Sequence, residues 1–475
     1  MKSIHAYVAV LLAGATLAGD AGAAVTAPAG YIYSTQLLGS LTQGCVAAGP
    51  GGTFVGIGAT FTANAEAIVL ARESGELRLV AMGFNSIADC AYDPVVDALY
   101  VTDNADNADL GITTSFAGNT GAQTGDTVFR IPNASTAGGL SAKDLELLPA
   151  NAIEFAAGVT VDGTGAVLVS DAAGGTSGRV LKITAGPSST TLVPSLAFAG
   201  GVALAPSSGD LFVAENLGLP NFDNQVLRYT AAGAPVGPVP FAGPSFDFGS
   251  LDLLFNADGR LLASGNFGAD VVSFDVGTGS STPFVSGLTF ASGMTIDPFT
   301  HRVQILSSTF TGADEDRSLH RFTPIDRLVA GGGSSKSDCA VELYGVEVVG
   351  NTATCVDGAA CDADGVVNDS CLFPVGLCFN VADPDLADCS DADDVTEVTL
   401  TAKPASAAIS TVAAAIDAAL PISGTTCRFS DGYALPVNQT PAGKKDGKAT
   451  LKVKSRTADG RTDTDVVRLV CTPAS

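Results

Sequence analysis

Short apolar segments alternate with turn-forming residues over residues 30–330. Six times, an apolar segment leads through a tight turn of Asp, Gly, Pro or Asn into a second apolar segment. Each unit continues through a variable polar loop into a third apolar segment, such as TVFRIP, RVLKIT or QVLRYT, and most units reach a fourth. Gly and Asx residues suit hairpin turns, and short segments rich in Val and Leu are typical of strands packed on both faces. The pattern predicts six units of antiparallel strands and an all-β fold.

The spacing of the repeats predicts how these units are arranged. Outside one insertion the units recur every ~40–50 residues, which is the spacing of four-stranded propeller blades. A β-sandwich is the competing fold, but it would not repeat its sequence six times. The sixth unit lacks a fourth strand, and the segment STQLLGSLTQG resembles the fourth strand and exit of the fifth unit. We therefore expect residues near Thr35–Gly39 to complete the last blade and remove an open sheet edge.

The repeat over residues 30–330 resembles the six-bladed β-propellers of the NHL-repeat and regucalcin/gluconolactonase-like superfamily. The resemblance implies a functional face with the loops from strand two to strand three and from strand four to strand one. In metal-dependent lactonases of that superfamily, a Glu and Asn or Asp residues just before the first strand hold a divalent cation. The positions aligned with them here contain no carboxylate: Gln43, Ala88, Ala157, Gly200, Gly249 and Ser292. Only Asp89 lies one position further on, so the metal site of the superfamily is not carried over.

Acidic and amide side chains follow the second strand in four of the units. They are Asp103, Asn104, Asp171, Glu215, Asn216 and Asn266. All fall on the face that the resemblance implies, so we predict a rim there that binds a cation or a polar ligand. The alternative is that these groups form hydrogen bonds with the backbone of nearby turns. The long insertion at 103–126, rich in Asp, Asn, Gly and Thr, is predicted to add a contact loop beside the rim.

Charge and motif content narrow the function. The chain has 49 acidic and 24 basic residues and a formal net charge of −25, which excludes nucleic-acid binding through a general basic surface. None of its three histidines falls on the predicted rim, and no GxSxG elbow, HExxH motif or P-loop is present. We therefore predict a monomeric binding or scaffold protein, rather than an enzyme, with an extracellular or envelope ligand. The alternative is a lactonase-like hydrolase or lyase that uses carboxylates and a divalent cation, with Ca²⁺ as the candidate cofactor.

The N-terminus predicts the compartment. Residues 1–24 combine Lys2, an apolar run from Ala6 to Gly19 and a small-residue zone at Ala21–Ala24, which is the pattern of a secretory signal peptide. Neither this run nor any later segment reaches ~18 uninterrupted apolar residues, so we expect no transmembrane segment. We predict a secreted protein, extracellular or periplasmic, whose ten cysteines form disulfides.

Two of the cysteines lie in the predicted propeller, residues 25–330. Cys45 and Cys90 occupy the same repeat position in neighbouring units, where adjacent inner strands should face each other. We therefore predict a Cys45–Cys90 disulfide, with two buried free thiols as the alternative.

A Gly/Ser-rich linker at 331–337 is predicted to separate the propeller from a C-terminal module, residues 338–475. Eight cysteines predict a small, mainly β domain held together by disulfides. We predict Cys427–Cys471 as one pair. The remaining six cysteines allow fifteen pairings and are Cys339, Cys355, Cys361, Cys371, Cys378 and Cys389.

Charge is divided within this module. Residues 338–400 contain fourteen acidic and no basic residues, whereas residues 401–475 contain ten basic and six acidic residues. The segment KATLKVKSRT predicts a strand with one apolar and one basic face, because Leu451 and Val453 alternate with Lys452, Lys454 and Arg456. The basic face either docks on the acidic half of the module or binds an anionic surface such as envelope polysaccharide.

Two further features belong to the module. Val412, Ile416 and Leu420 recur with helical spacing before a proline, which predicts one short helix. Four aspartates lie among the closely spaced cysteines: Asp357, Asp362, Asp364 and Asp369. The segment Cys-Asp-Ala-Asp-Gly resembles part of a Ca²⁺-binding loop, so these four are candidate Ca²⁺ ligands, with a solvated acidic turn as the alternative.

Overall fold

A computed structural model of the chain describes residues 25–58, 65–73, 75–105, 126–149, 152–173, 176–184, 187–216, 224–239, 250–265, 271–288, 291–297, 301–307, 317–324, 328–330, 341–344, 348–349, 351–359, 362, 365–373, 375–380, 395–422, 425–430, 432–458, 460 and 462–474. The predicted signal peptide, the predicted linker and most of the long insertion lie outside these residues. Within them strands dominate, in agreement with the predicted all-β fold. No helix in this part of the chain is long and apolar enough to cross a membrane.

The strands of residues 31–324 follow the predicted repeats. In chain order they are β1 (Tyr31–Leu37), β2 (Thr42–Gly49), β3 (Gly52–Gly58), β4 (Glu66–Ala71), β5 (Leu77–Phe84), β6 (Ile87–Asp93), β7 (Ala98–Asp103), β8 (Thr127–Pro132), β9 (Leu140–Ser141), β10 (Ala156–Val161), β11 (Val167–Asp171), β12 (Gly178–Ile183), β13 (Thr190–Leu196), β14 (Ala199–Leu204), β15 (Leu211–Asn216), β16 (Asn224–Tyr229), β17 (Pro235–Pro238), β18 (Ser250–Phe255), β19 (Leu261–Gly265), β20 (Val271–Phe274), β21 (Ser281–Val285), β22 (Ala291–Ile296), β23 (Val303–Ser307) and β24 (Ser318–Pro324). A 3₁₀ turn at Ala142–Asp144 follows β9.

These strands form six sheets, which we number blade 1 to blade 6 in chain order. Blade 1 comprises β2–β5 with β9, blade 2 comprises β6–β8, blade 3 β10–β13, blade 4 β14–β17, blade 5 β18–β21 and blade 6 β22–β24 with β1. The first strand of each blade contacts the first strand of the next blade, and β22 contacts β2. The six first strands therefore surround a central channel, which is the arrangement of a β-propeller.

The N-terminal strand closes the last sheet. β1 pairs antiparallel with β24, with Thr35 opposite His320 and Leu37 opposite Ser318. The order β1-β24-β23-β22 places the N-terminal strand at the outer edge of blade 6. This pairing confirms that the segment near Thr35–Gly39 completes the last blade. Without it, β24 would present an unpaired edge.

Apolar side chains and one disulfide join neighbouring blades. Phe84 of blade 1 meets Phe129 of blade 2 edge to face, with 5.1 Å between the ring centroids. Both rings are fully buried in the apolar cluster between these blades. Cys45 in β2 and Cys90 in β6 form a disulfide with 4.7 Å between their Cα atoms, which confirms the predicted pair. The covalent bond therefore ties the inner strands of the first two blades.

The C-terminal module begins at residue 328. Its elements are β25 (Leu328–Ala330), β26 (Val341–Tyr344), β27 (Val348–Val349), β28 (Thr352–Val356), β29 (Ser370–Phe373), β30 (Gly376–Asn380), β31 (Val395–Lys403), α1 (Ala407–Asp417), β32 (Thr425–Phe429), β33 (Tyr433–Pro436), β34 (Asn438–Thr440), β35 (Gly443–Lys445), β36 (Gly447–Thr457) and β37 (Thr462–Thr472). β25 pairs with β26 rather than with a blade.

The module is built around two larger sheets and one helix. The sheets have the orders β25-β26-β30-β32 and β27-β28-β37-β36-β31. Helix α1 is present as predicted, and its buried Val412 and Ile416 pack in the module core. The predicted strand pair β36–β37 is also present, with Leu451 and Val453 on the buried side. The described residues of the module thus form mainly strands, with one short helix.

The disulfide prediction for the module is wrong. Cys471 pairs with Cys371, with 5.6 Å between their Cα atoms, and not with Cys427. The reason is the strand arrangement: Cys427 lies opposite Cys378 in the pair β30–β32, whereas β37 carries Cys471 into the other sheet. Cys339, Cys361 and Cys389 lie outside the described residues.

Candidate functional site

The carboxylates at the ends of the second strands face the backbone of their own blades. Asp103 is fully buried at the end of β7, where Oδ2 and Oδ1 accept the N–H groups of Asn85 (2.8 Å) and Ser86 (2.9 Å). Burial raises the pKa of Asp103 to about 6, although these N–H groups oppose the shift. The neighbouring Asn104 donates its own N–H to the carbonyl of Ser86. These contacts hold the segment that leads into β6.

Asp171 and Glu215 act in the same way in the next two blades. Asp171 Oδ1 accepts the N–H of Phe155 (3.0 Å), and Glu215 Oε1 accepts the N–H of Ala197 (2.7 Å). Both residues are buried. These contacts correspond to the backbone-bonding alternative stated for the rim.

The rest of the predicted rim is described only in part. Asn216 is described in its backbone alone, and Asn266 and residues 106–125 lie outside the described residues. Ligand binding at this rim therefore stays a prediction.

A cavity of about 730 Å³ occupies the opposite mouth of the channel. One wall contains the turns between first and second strands, represented by Gly51, Pro94 and Asp297. The facing wall belongs to the C-terminal module and includes Leu372 and Phe429. The cavity thus lies between the propeller and the module, on the face opposite the one that the resemblance implies.

The cavity combines apolar walls with four acidic residues, Glu73, Asp89, Asp252 and Asp297, and with one arginine, Arg302. Its apolar side chains include Val161, Leu204, Leu254, Phe255, Ile296 and Phe429. Along β6 and β18 the lining begins at Asp89 and Asp252, which therefore mark its deep end inside the channel. Asp252 is only 6% exposed, and Asp89 is half-buried.

Four glycines narrow the channel at the level of these aspartates. The equivalent positions in the other blades are Gly44, Gly158, Gly201 and Gly293. A Cβ on Gly201 would lie 2.5 Å from the Cα of Asp252, and one on Gly44 would lie 1.9 Å from the carbonyl oxygen of Ala88. The inner strands approach so closely here that the neighbouring backbones leave no room for a side chain. Asp89 and Asp252 are thus the side chains that this level of the channel carries.

Each of the two aspartates links its own blade to the next. Asp89 Oδ2 accepts the N–H of Val159 in blade 3 (2.8 Å), and Asp252 Oδ2 accepts the N–H of Met294 in blade 6 (2.5 Å). The other oxygen of each carboxylate accepts the N–H of the residue that follows it (2.7 Å in both cases). Blades 2 and 5 lie three steps apart in a ring of six sheets, so the two carboxylates face each other across the channel.

The surroundings of the pair favour the protonated acid. Burial raises the pKa of Asp252 to about 7, and the N–H groups of Met294 and Leu253 oppose this shift only in part. Burial also raises the pKa of Asp89 well above its ordinary value, and the nearby Asp252 carboxylate raises it further. Two like charges in a poorly solvated channel repel each other strongly. The pair therefore keeps a proton at pH values where exposed aspartates have lost theirs.

An arginine joins the rim of the cavity to the module. The Arg302 guanidinium lies 2.5 Å from Glu73 Oε1 and stands over the ring of Phe429, 5.0 Å from its centroid. Burial alone would raise the pKa of Glu73, but Arg302 and Arg321 hold it below its ordinary value. Glu73 is therefore an ionised group that fixes Arg302, and Arg302 in turn contacts the module by a cation–π interaction.

Sequence reasoning singled out Asp89 and missed Asp252. An alignment of the fifth unit from Gly249 places that unit two residues out of register, because Ser250 at the start of β18 corresponds to Ala156 at the start of β10. The turns give the better alignment. Matching the turn at Asn256–Gly259 with the turn at Asp162–Gly165, each ending on a glycine with positive φ, brings Asp252 to the position of Asp89.

The predicted Ca²⁺ ligands of the module bind other groups in the structure. Asp357 and Asp362 are buried and accept backbone N–H groups, that of Asp369 among them. The Asp369 carboxylate forms an ion pair with Lys444. Asp364 lies outside the described residues. Within the described chain no three His, Cys, Asp or Glu side chains converge as a metal site, and Ca²⁺ binding here stays a prediction.

Comparisons with known proteins concern the architecture. No family model matches the sequence, and no curated protein matches it. Solved structures with similar folds include a gluconolactonase from Xanthomonas campestris, with 15% identity and a TM-score of 0.42 over 62% of this chain and 89% of that one. A calcium-binding regucalcin from Agrobacterium tumefaciens has 13% identity and a TM-score of 0.40 over 61% and 93%. Virginiamycin B lyase from Staphylococcus aureus has 11% identity and a TM-score of 0.40 over 62% and 99%. These similarities are to propeller structures, and no ligand or activity is taken from them.

Proposed function

We propose that the chain is an exported, six-bladed β-propeller that binds a small organic molecule in the cavity between its channel and its C-terminal module. The cavity itself carries the proposal, because about 730 Å³ falls within the range of small-molecule pockets, roughly 300–1,000 Å³. Its apolar walls and its pair of carboxylates are the combination that such pockets use. The signal-peptide pattern of residues 1–24 and the disulfides support export.

The chemistry of the cavity favours a ligand with an apolar body and a cationic end. Side chains such as Leu254 and Phe429 would cover the body. A protonated amine between Asp89 and Asp252 would form charge-assisted hydrogen bonds and relieve the repulsion between the carboxylates. A Ca²⁺ ion fits less well, because Ca²⁺ takes about six to eight oxygen ligands and no third acidic side chain among the described residues joins the pair.

Thermal unfolding with 2-phenylethylamine and phenylacetate tests this proposal. The two probes share a ring and differ in charge. At ten times its Kd, the amine should stabilise the protein by about 1.4 kcal/mol, which raises the Tm by about 2 °C, and phenylacetate should not. The double variant Asp89→Asn/Asp252→Asn should lose the response. Asp258→Asn, at an exposed turn of blade 5, should keep it. An equal response to both probes, or a response that survives in the double variant, would contradict the proposal.

A hydrolase or lyase that uses the same two carboxylates is the second candidate. The raised pKa values of Asp89 and Asp252 favour a state with one ionised and one protonated carboxyl group, which is what general base and general acid catalysis require. Glucono-1,5-lactone is a direct probe of this alternative. Hydrolysis that Asp89→Asn abolishes and Asp258→Asn leaves intact would favour the enzyme. A purified protein that responds to the amine without turning over the lactone would favour binding.

A further inference from the structure

One face of the module sheet β27-β28-β37-β36-β31 is strongly basic. Its exposed cations are Lys403, Lys448, Lys452, Lys454, Arg456 and Arg468. Strand pairing places these cations on the same face. Lys403 and Arg468 lie opposite Thr450 on either side of β36, and Thr450 is on the same face of β36 as its lysines. Glu397, opposite Arg456, is the acidic residue that the described part of this face carries.

The described residues offer this basic face no ionic partner. None of its six cations forms an ion pair within the described part of the chain, whereas Lys444, on the neighbouring hairpin, pairs with Asp369. The opposite side of the same strands is the apolar core of the module. Docking on the acidic half of the module was one of the two alternatives from the sequence. No ion pair among the described residues supports it.

We propose that this face binds a linear acidic polysaccharide outside the cell. Along a strand, side chains on one face recur every ~7 Å, so the four cations of β36 extend over roughly 27 Å. Such a row is complementary to a polymer with regularly spaced carboxylate or sulfate groups. Threonines lie between and beside the cations, among them Thr399 and Thr401 opposite Lys454 and Lys452. Their hydroxyls can exchange hydrogen bonds with sugar hydroxyls.

The composition of the face favours a polysaccharide over other polyanions. Single-stranded nucleic acids bind on aromatic side chains, and β31, β36 and β37 contain no aromatic residue. An anionic membrane surface is bound most stably when apolar side chains insert beside the cations. The apolar residues on this face, Val466 and Val470, are partly buried between strands. The face therefore offers a ligand only charged groups and hydroxyl groups, and these match an acidic glycan.

Calorimetric titration of the full chain with heparin tests the proposal. At 50 mM NaCl the protein should bind heparin despite its net charge of −25. Four ionic contacts predict an affinity about 50-fold lower at 200 mM NaCl. Lys454→Glu should weaken binding about tenfold or more, because it removes one contact and adds a repulsive charge. Lys445→Glu changes the net charge equally on the exposed hairpin β34–β35 and should leave the affinity within about twofold.

The remaining outcomes each decide against the proposal. Absence of heparin binding at 50 mM NaCl overturns it, and so does an equal loss of affinity in Lys454→Glu and Lys445→Glu, which would indicate general electrostatics. Tighter binding to a single-stranded 20-nucleotide DNA, or to phosphatidylserine vesicles, would assign the face to another partner. Lys454→Gln provides the same comparison if Lys454→Glu does not retain the wild-type melting temperature.

Discussion

Replacing Asp252 with asparagine should destabilise the protein at acidic pH and stabilise it at alkaline pH. The side chain is buried at the narrowest level of the channel, where its two oxygens accept the N–H groups of Leu253 and Met294. Asparagine keeps the shape of the side chain and removes its ionisation. It has one acceptor oxygen for two N–H groups, so it should lose about 1 kcal/mol at every pH.

The ionisation of Asp252 lowers the stability of the wild-type protein as the pH rises, and the variant avoids this loss. Its pKa rises from 3.8 to about 7 on folding, so between these pH values the native state holds a proton that the unfolded state has released. The free energy of unfolding therefore falls as the pH rises through this window, by on the order of 4 kcal/mol between pH 4 and pH 8. The Asp252→Asn variant does not have this loss. It should be less stable than wild type by up to about 1 kcal/mol at pH 4 and more stable by about 3 kcal/mol at pH 8.

Urea unfolding at pH 4, 6 and 8 measures this reversal. Other buried groups titrate in the same range, such as Asp103 and His320, whose pKa values move to about 6 and about 4. They are shared by both proteins and cancel in the difference. Asp89 does not cancel, because the variant removes the Asp252 charge that raises its pKa, and this adds to the gain in stability at alkaline pH. Asp258→Asn, at an exposed position in the same blade, is the matched control for the loss of one carboxylate. If Asp252→Asn is less stable than wild type by the same amount at all three pH values, Asp252 is an ordinary ionised carboxylate and the reasoning about the pair is refuted.

The remaining predictions concern the connections between blades and between the two parts of the chain. Cys45→Ser/Cys90→Ser should lower the free energy of unfolding by about 4 kcal/mol, because the disulfide closes a loop of 45 residues; denaturant unfolding measures this, and an unchanged midpoint would contradict it. Gly201→Ala should lower the Tm by far more than Gly163→Ala, since a Cβ meets the next blade at 2.5 Å in the first case and nothing within 4 Å in the second; equal shifts would show that the inner strands separate easily. Arg302→Met should remove the nearer of the two arginines that pair with the buried Glu73 carboxylate, leaving Arg321 at 3.5 Å, and cost on the order of 2 kcal/mol; it should also speed protease cleavage between propeller and module, whereas an unchanged cleavage rate would assign their contact to other residues.

The sequence predicts the propeller well because each blade is specified locally. Turn residues such as Asp162 and Asn256 recur with the apolar segments, and each strand pairs mostly with its sequence neighbour. Two predictions over longer distances also hold, the closure by β1 and the Cys45–Cys90 disulfide. Both rest on positional equivalence between repeats, which is readable from the sequence once the units are aligned.

The site and the module disulfide depend on contacts that repeats do not encode. Asp252 is missed when the fifth unit is aligned from Gly249, because that start lies two residues away from the alignment that the turn at Asn256–Gly259 gives. The Cys371–Cys471 bond spans 100 residues within a module that has no repeat to guide the pairing. The cavity forms only because the module covers one mouth of the channel, through contacts such as Arg302 with Phe429. The sequence around Arg302 and the sequence around Phe429 do not predict that contact.

A crystal structure of the protein soaked with 2-phenylethylamine would show where the amine binds. We expect electron density for the amine in the cavity between channel and module, with its ammonium nitrogen about 2.7–2.9 Å from carboxylate oxygens of Asp89 and Asp252 and its ring against Phe429. Density for the amine at the opposite mouth, near Asp103 and Asp171, would contradict the account. So would an empty cavity at a saturating concentration of the amine.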